Sequence, residues 1–380
     1  MTPSADVHDD IPILIVGAGP VGLLLANLLG RQEIPCLLID RRTTRPEWSR
    51  AIGVTPPSLG ILEKVDLAEP LAARGVRVQQ AVVHDDRGTA GTVDFSGIRA
   101  AFKGILAVPQ FETMHVLAAS LPRYHSVTFA QGTALESMAD DGEIVQARLT
   151  NAETGDSHTV AAGWVIGCDG HDSTLRTLAE IPFKRGLYGP AFVMADYADT
   201  TGWGSTAHLF FAAGGSLESF PLPNNRRRWV VLKPQKDSRP NADVIADQVR
   251  QFTGLDIAAA RESPVFPFEP EQLVVRTLVK GRLILAGDAG HVMSPIGGQG
   301  MNTGLADAEF LASIIPQLLQ KKSGRKRLLD TYDRCRQKAA AAARRRAALG
   351  MWLGTRTGKT PSKIRSWLLR GILLKPPVLN

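Results

Sequence analysis

The sequence predicts an α/β protein: one α/β domain, interrupted by a mostly β insertion and followed by a C-terminal helical segment. Three observations predict it. First, the apolar run Ile11–Val16 leads straight into Gly17-Ala-Gly-Pro-Val-Gly22. The helix-like stretch Leu23–Leu29 and a second apolar run, Pro35–Ile39, follow, ending at Asp40. Strand, turn, helix and strand in that order form a parallel unit. Second, residues from about 183 to 275 read as extended segments broken by Gly, Pro and Asn: Phe192–Tyr197, Ala207–Ala212, Ser216–Leu222 and Trp229–Leu232. Third, the pattern turns helical after Gly304, through Leu305–Leu319 and Leu328–Met351.

The 380 residues are 44% hydrophobic and 21% charged, as in ordinary globular chains, and are enough for more than one packed unit. Cys36, Cys168 and Cys335 are far apart, without C-x-x-C spacing. No disulfide framework or metal site is expected, and a reducing, cytoplasmic compartment fits. Met1–Asp10 has no basic segment followed by an apolar stretch, so it does not read as a secretory leader. No uninterrupted apolar run is long enough for a transmembrane helix. Residues 321–380 carry 17 Lys or Arg against Asp330 and Asp333, a net +15. With +7 for the whole chain, residues 1–320 hold −8. Such asymmetry suggests an anionic partner for the tail.

In the first unit, Gly17 permits the tight turn. Gly19 lets the backbone approach a pyrophosphate, and Gly22 lets helix and strand pack closely. The helix beginning near Pro20 then points its free N–H groups at the phosphates. Asp40, with Arg41 beside it, is spaced to accept hydrogen bonds from an adenosine ribose. This motif defines a Rossmann-like domain but does not separate FAD from NAD. Two later strands, Gly163–Gly167 and Arg282–Ala286, each run into an Asp-Gly or Gly-Asp turn. The second turn opens the segment Gly287-Asp288 through Asn302, which precedes a helix. An Asp at a strand end can hold polyol hydroxyls. The Gly-rich turn with Gly298, Gly300, Met301 and Asn302 can bring backbone N–H groups against a flat ligand. The following helix favours negative charge, as on the pyrimidine end of a reduced isoalloxazine. That arrangement serves FAD and has no use for NAD alone.

With these motifs in order the chain resembles the class A flavoprotein monooxygenases, the aromatic hydroxylases of the para-hydroxybenzoate, polyketide and ubiquinone-pathway groups. The four are Gly17-x-Gly19-x-x-Gly22, Ser49-Arg50-Ala51, Gly167-Cys-Asp169-Gly170-His-Asp-Ser173-Thr-Leu-Arg176, and Gly287-Asp288 to Asn302. The resemblance covers about residues 10–320. It implies that Asp169 and Gly170 touch FAD and the incoming nicotinamide, and that Asp288 binds the ribityl chain. It further implies that Pro295 sits beside the reactive flavin edge, that Arg50 approaches the pyrophosphate, and that Gln110 contacts FAD. Gly290 and Cys168 depart from the commoner Ala. The implied reaction hydroxylates a phenolic or polyketide- or quinone-like aromatic with NADPH or NADH and O2, through a flavin hydroperoxide. The flavin performs the oxygen chemistry. The family lacks a separate NAD(P)H domain, and no second dinucleotide motif is visible. The stretch after Asn302 is too short for a thioredoxin-like third domain.

The expected division is 1–80, 104–182 and 276–320 for the FAD-binding domain, 81–103 and 183–275 for the substrate domain, and 321–380 for the basic helical segment. His208 alternates with Phe210 on an expected substrate-domain strand and is the candidate base for a phenol. A satisfied or solvent-facing histidine is the plainer reading, and Tyr197 is a similar candidate. Phe220-Pro221 reads as cavity wall or as core. Arg226–Arg228, after Pro223-Asn-Asn, reads as a solvated hairpin tip. His291 reads as structural.

In the tail, Trp367, Leu368, Ile372 and Leu373 can share a helical face among basic residues. Peripheral contact with an anionic membrane, at its inner face, stands level with packing on the acidic body. No nucleic-acid fold signature accompanies the charge. A lipid-tail reductase or halogenase of the same fold is the alternative enzyme, but no Trp-x-Trp-x-Ile-Pro segment is present. A non-catalytic flavin sensor is the alternative of another class.

Overall fold

The computed structural model describes residues 10–45, 51–98, 101–233, 241–320 and 323–373. Among them, one sheet runs in spatial order Val279–Lys280, Leu283–Leu285, Ser157–Gly167, Asp10–Val16, Cys36–Asp40 and Val127–Gln131. From Leu283–Leu285 to Val127–Gln131 the neighbours pair parallel. Val145–Asn151 and Thr133–Asp140 extend it as an antiparallel branch. The central strands are apolar throughout, as a parallel sheet covered on both faces requires, and Ile13, Leu14 and Ile15 are fully buried. Helices Pro20–Arg31, Gln110–Ser120 and Gln299–Gln320 pack together against this core. The turns carrying Gly17, Asp169 and Gly287, and the end of Cys36–Asp40, all leave at the carboxyl edge of adjacent parallel strands. In open α/β sheets that is where ligands bind.

The second sheet runs Phe266–Phe268, Phe192–Ala198, Arg226–Leu232, Gly215–Leu222, Ala207–Ala212, Gln80–Asp85 and Gly88–Asp94. The Gln80–Asp94 hairpin thus reaches across the chain to pair with Ala207–Ala212. One face carries Val193, Leu217, Trp229 and Val231 and packs against helix Asn241–Thr253. Period-two alternation puts Phe192, Met194, Val230 and Leu232 on the other face. There they meet Ile296 and Met351.

Helix Arg325–Thr355 links the two parts. Tyr332 Oη donates to Leu285 O at 2.8 Å in the first domain, and Met351 packs under the second sheet. The tail continues as Lys359–Leu368, laid on the edge of the second sheet. Arg365 donates to Ala212 O at 2.6 Å and to Arg356 O at 2.8 Å. Arg370 pairs with both oxygens of Asp85 at 2.7 Å, and Ser362 bonds Asp86. Two of the tail's basic side chains, Arg365 and Arg370, therefore pack on the body. Trp367 nevertheless stands 66% exposed, with Ile364 beside it also exposed. Leu368 is half-buried, and the side chains of Ile372 and Leu373 lie outside the described residues.

Arg226–Arg228 is not a solvated hairpin tip. The turn is made by Asn224 and Asn225, both at positive φ, so the arginines begin the strand. Arg227 and Arg228 are 0% and 1% exposed and pair with Asp199 at 3.1 Å and Asp196 at 2.6 Å. A buried guanidinium persists where a carboxylate meets it, and these partners lie on or just beyond the neighbouring strand.

Candidate active site

The site begins at Gly17, whose φ of +102° favours glycine. A Cβ there would lie 2.6 Å from Asp169 Cα and from Cys168 O. The two motif loops are thus in direct backbone contact, with Cys168 N donating to Val16 O at 2.7 Å. At Gly22 a Cβ would stand 2.0 Å from Gly17 O, so helix and loop pack at glycine distance. A Cβ added at Gly19 would meet nothing closer than 4.0 Å. Helix Pro20–Arg31 opens here with Pro at its start and no acid in its first turn. Its free N–H groups and positive end suit a pyrophosphate.

Asp40 braces this loop. Its Oδ2 accepts Ala18 N–H at 2.8 Å, and its Oδ1 accepts Arg42 N–H at 2.9 Å. The Arg42 guanidinium adds bonds at 3.1 and 3.2 Å. Burial works against the charged form, but these donors hold the carboxyl below the usual range. Arg42, not the exposed Arg41, is the residue paired with the acid. Its side chain is half exposed, so it can yield to ribose hydroxyls. Thr44, Arg45, Met114, Phe129 and Gln131 line a recess beside Asp40.

At the next strand end Asp169 Oδ2 accepts Leu175 N–H at 3.0 Å. Its Oδ1 is buried without a partner, and burial raises its pKa. Gly170 has open space around it. Buried Arg176 joins this loop to the Gly287 turn, donating to Ala289 O at 2.9 Å and His171 O at 2.7 Å. Asp288 presents its side chain to the cleft while protein crowds around it, and that desolvation raises its pKa.

Behind Asp288 lies a buried charge cluster. Asp307, fully buried, accepts Gly287 N–H at 2.9 Å and His291 Nε2 at 2.7 Å, and pairs with Arg336. Burial would lower the His291 pKa and raise that of Asp307. Their mutual attraction wins, so His291 is shifted up and Asp307 down. His291 therefore fixes the Gly287-Asp288 turn.

Beyond it Pro295 is exposed to the cleft. Gly297 and Gly298 take positive φ, and helix Gln299–Gln320 starts without an acid in its first turn. Its N-terminus, with Gly298 and Gly300, opens beside Asp288. Met301 is half-buried against the first core. Asn302 is committed to bracing: it donates to Gly298 O at 2.6 Å and Gly53 O at 2.9 Å, and accepts Thr55 N–H at 3.0 Å. Gln110 opens helix Gln110–Ser120, its N–H bonded to Ala51 O at 3.1 Å. Arg50 lies outside the described residues.

The structure does not bring His208 into the cleft. It shares the face of Phe210, which packs with helix Asn241–Thr253. There it stacks on Trp203 with ring centroids 3.9 Å apart, and its Nδ1 lies 3.0 Å from His84 Nε2. Burial, helped by His84 and Arg227, lowers its pKa to about 4. Tyr197 is buried on the same face. The opposite parity faces the cleft and carries Glu218, paired across the sheet with Leu209 and Val230. Phe220, two residues on, packs with Val78 and Ala107. Burial alone lifts the Glu218 carboxyl to about 7. Four residues of this neighbourhood were not singled out from sequence: Arg42, Glu218, Asp307 and Arg336. Glu218 was findable, because it shares strand parity with Phe220. Asp307, one helical turn before apolar Leu311 and one turn after Gly304, signals an acid that needs a buried partner.

The partnerless Asp169 Oδ1, the anion-ready helix at Gly19, the glycine turn before Gln299 and the cleft-facing Asp288 all fit FAD. Fold and site together define a flavin-nucleotide-binding protein. The FAD binding domain family model matches residues 10–347, and the chain belongs to that family. Over 343 residues it is 31% identical to 6-methylpretetramide 4-monooxygenase of Streptomyces rimosus, covering 87% of this chain and 59% of the relative. Over 333 residues it is 27% identical to pentachlorophenol 4-monooxygenase of Sphingobium chlorophenolicum, covering 85% and 61%. The chain thus spans less than two thirds of the length of these relatives. The crystal structure of p-nitrophenol 4-monooxygenase from Pseudomonas putida DLL-E4 superposes with a TM-score of 0.87 at 20% identity, covering 98% and 96%. That likeness is one of fold.

Among the described residues no helix is long and apolar enough to cross a membrane.

Proposed function

We propose that this protein is an FAD-dependent monooxygenase that hydroxylates a phenolic or polyketide-like aromatic with NAD(P)H and O2. The observation that carries the reading is the apposition of two surfaces. The Asp288–Gly300 segment, suited to a flavin, faces the apolar side of the second sheet, where Phe192, Met194, Val230 and Leu232 meet Ile296, the neighbour of Pro295. The named relatives are aromatic hydroxylases, which supports the same reaction class.

Bound FAD would accept hydride from NAD(P)H and activate O2. The chain's own residues do the rest. The helix at Gly19 holds the pyrophosphate. The Arg42-braced Asp40 meets the ribose, and Asp288 meets the ribityl hydroxyls. The helix beginning at Gln299 favours negative charge at its N-terminus, which lies beside Asp288. The apolar sheet face excludes water and orients a flat ring.

Trp367 and Ile364, exposed beside Lys363, favour a second element of the reading. The tail contacts an anionic membrane surface peripherally, and the substrate carries a lipophilic tail. The test is NADPH and NADH consumption in air by FAD-loaded protein, with a short and a long-tailed resorcinol, each with and without anionic liposomes. Stimulation accompanied by incorporation of one atom of labelled O2 supports the hydroxylase. Greater stimulation with liposomes supports membrane contact. Substrate-dependent consumption that continues without oxygen rejects the hydroxylase in favour of a reductase.

A further inference from the structure

The cleft-facing side of the second sheet is apolar except at a few positions. On strand Gly215–Leu222, Leu217 packs toward helix Asn241–Thr253. Its neighbours Ser216 and Glu218 therefore turn the other way. Phe220 confirms the parity, joining Val78, Ala81 and Ala107 on that side. Glu218 thus stands between Leu209 and Val230 on the flanking strands. Val230 in turn belongs to the group that packs with Ile296. The carboxylate is half-buried, and no hydrogen bond or ion pair involves it among the described residues.

The charged residues of neighbouring strands on the same face, Asp196 and Arg228, satisfy one another. Ser216 Oγ, two residues before the half-buried Glu218, is itself buried without a partner. It lies near Gly354 of the long C-terminal helix, 3.4 Å from where a Cβ there would be. Two unpartnered polar groups therefore sit side by side on an otherwise apolar wall. A buried acceptor with no donor is costly. A ligand that brings a hydroxyl supplies the missing donor.

We propose that Glu218, with Ser216 beside it, receives the hydroxyl of a phenolic substrate, and that Glu218 accepts its proton as the ring is oxidised. The proposal rests on the monooxygenase reading. As the new ring C–O bond forms to one atom of the O2 that NAD(P)H has reduced by two electrons, the O–O bond breaks with its electron pair going to the other oxygen, and the phenol O–H bond breaks. Its electron pair moves into the ring, and the proton forms an O–H bond on Glu218. The proton of the attacked ring carbon passes to the oxygen that was split off, and its C–H electron pair restores aromaticity. The carboxyl then returns its proton to the phenolic oxygen, so ring C–H has become C–OH. The second atom of O2 leaves as water with the electrons of NAD(P)H. Burial has already prepared the acid for this task, since a carboxyl near neutrality is a far better proton acceptor than an exposed one.

The experiment compares a long-tailed resorcinol with its dimethyl ether in wild type, Glu218→Gln, Glu218→Leu and Glu218→Asp, all FAD-loaded. Affinity is read by calorimetry and turnover by product formation. Wild type should bind the resorcinol roughly 10- to 100-fold more tightly than the ether, as a charged acceptor implies. Glu218→Leu should erase that preference. Glu218→Gln should lower kcat by roughly 10²-fold or more while losing less affinity, and Glu218→Asp should recover part of the rate. An unchanged preference in Glu218→Leu, with resorcinol still hydroxylated, overturns the role of Glu218 and leaves the monooxygenase standing. A strong preference in wild type with no hydroxylation rejects the reaction but keeps the binding role. Failure of wild type to bind either ligand overturns the phenol assignment.

Discussion

A carboxyl held for chemistry should weaken the fold that holds it, and Glu218 allows that cost to be measured. Its pKa rises from an ordinary 4.5 to about 7 through burial. Between those values the folded chain keeps a proton that the unfolded chain has released. Stability from this group is therefore fully present below pH 4.5. It is lost as pH rises through 7. At about 1.4 kcal/mol per pK unit the full loss is about 3 kcal/mol. Partial exposure to the cleft screens the charge, and a loss of about 1–2 kcal/mol is expected. Glu218→Gln removes the titration while keeping shape. Urea unfolding of FAD-loaded wild type and variant, stepped from about pH 4.5 to 8.5, should give matching stabilities at the acid end. The variant should gain steadily to about pH 7, and the gap should stay constant above it. A pH-independent gap would show that the carboxylate reaches bulk water. A wild type more stable than the variant at high pH would reveal a cationic partner. Either result refutes the reasoning.

Two further outcomes follow from the same geometry. Gly22→Ala places a Cβ 2.0 Å from Gly17 O, a backbone atom that cannot swing aside. FAD affinity should fall by roughly tenfold or more, a strain of about 1–3 kcal/mol, as read by flavin fluorescence. Gly60→Ala, with nothing near its Cβ, should bind as wild type does. The choice between the two candidate bases is decided by pH profiles. In wild type, kcat/KM should rise with pH up to about 7 as Glu218 ionises. His208→Gln should keep that limb, because His208 already titrates at about 4. Loss of the limb in His208→Gln but not in Glu218→Gln would restore the histidine.

How much of this was legible beforehand depended on the range of the interaction concerned. The parallel unit and its loops follow from local chemistry. Apolar runs end in glycines at fixed spacing, so Ile11–Val16, Gly17–Gly22, Asp40 and the Gly287-Asp288 turn stand where the residue pattern puts them. The C-terminal helix likewise announces itself through its period. What misled was the second sheet, where meaning lies in which face a residue takes. Arg227 and Arg228 follow a turn signal and carry charge, so they read as solvent-facing. Only cross-strand pairing brings Asp196 opposite Arg228, and only the turn geometry at Asn224 and Asn225 moves the arginines into the strand. His208 was chosen for its residue type, without knowledge that its face would be covered by helix Asn241–Thr253. One register step decides between a stacked core histidine and a group in the cleft.

The same step explains why the acid was missed. Glu218 has no motif around it, and a glutamate in an extended segment ordinarily faces water. Its significance arises only when the long helix Arg325–Thr355 carries Met351 and Gly354 beneath the sheet and covers part of that face. The basic tail thus has a structural effect beyond its charge. By pairing Arg370 with Asp85 and anchoring Arg365 on Ala212, it pins the end of the helix that walls the cleft. Desolvation of Glu218, and with it the chemistry proposed for the site, depends on a segment whose sequence announced a basic helix but not the sheet face that it covers.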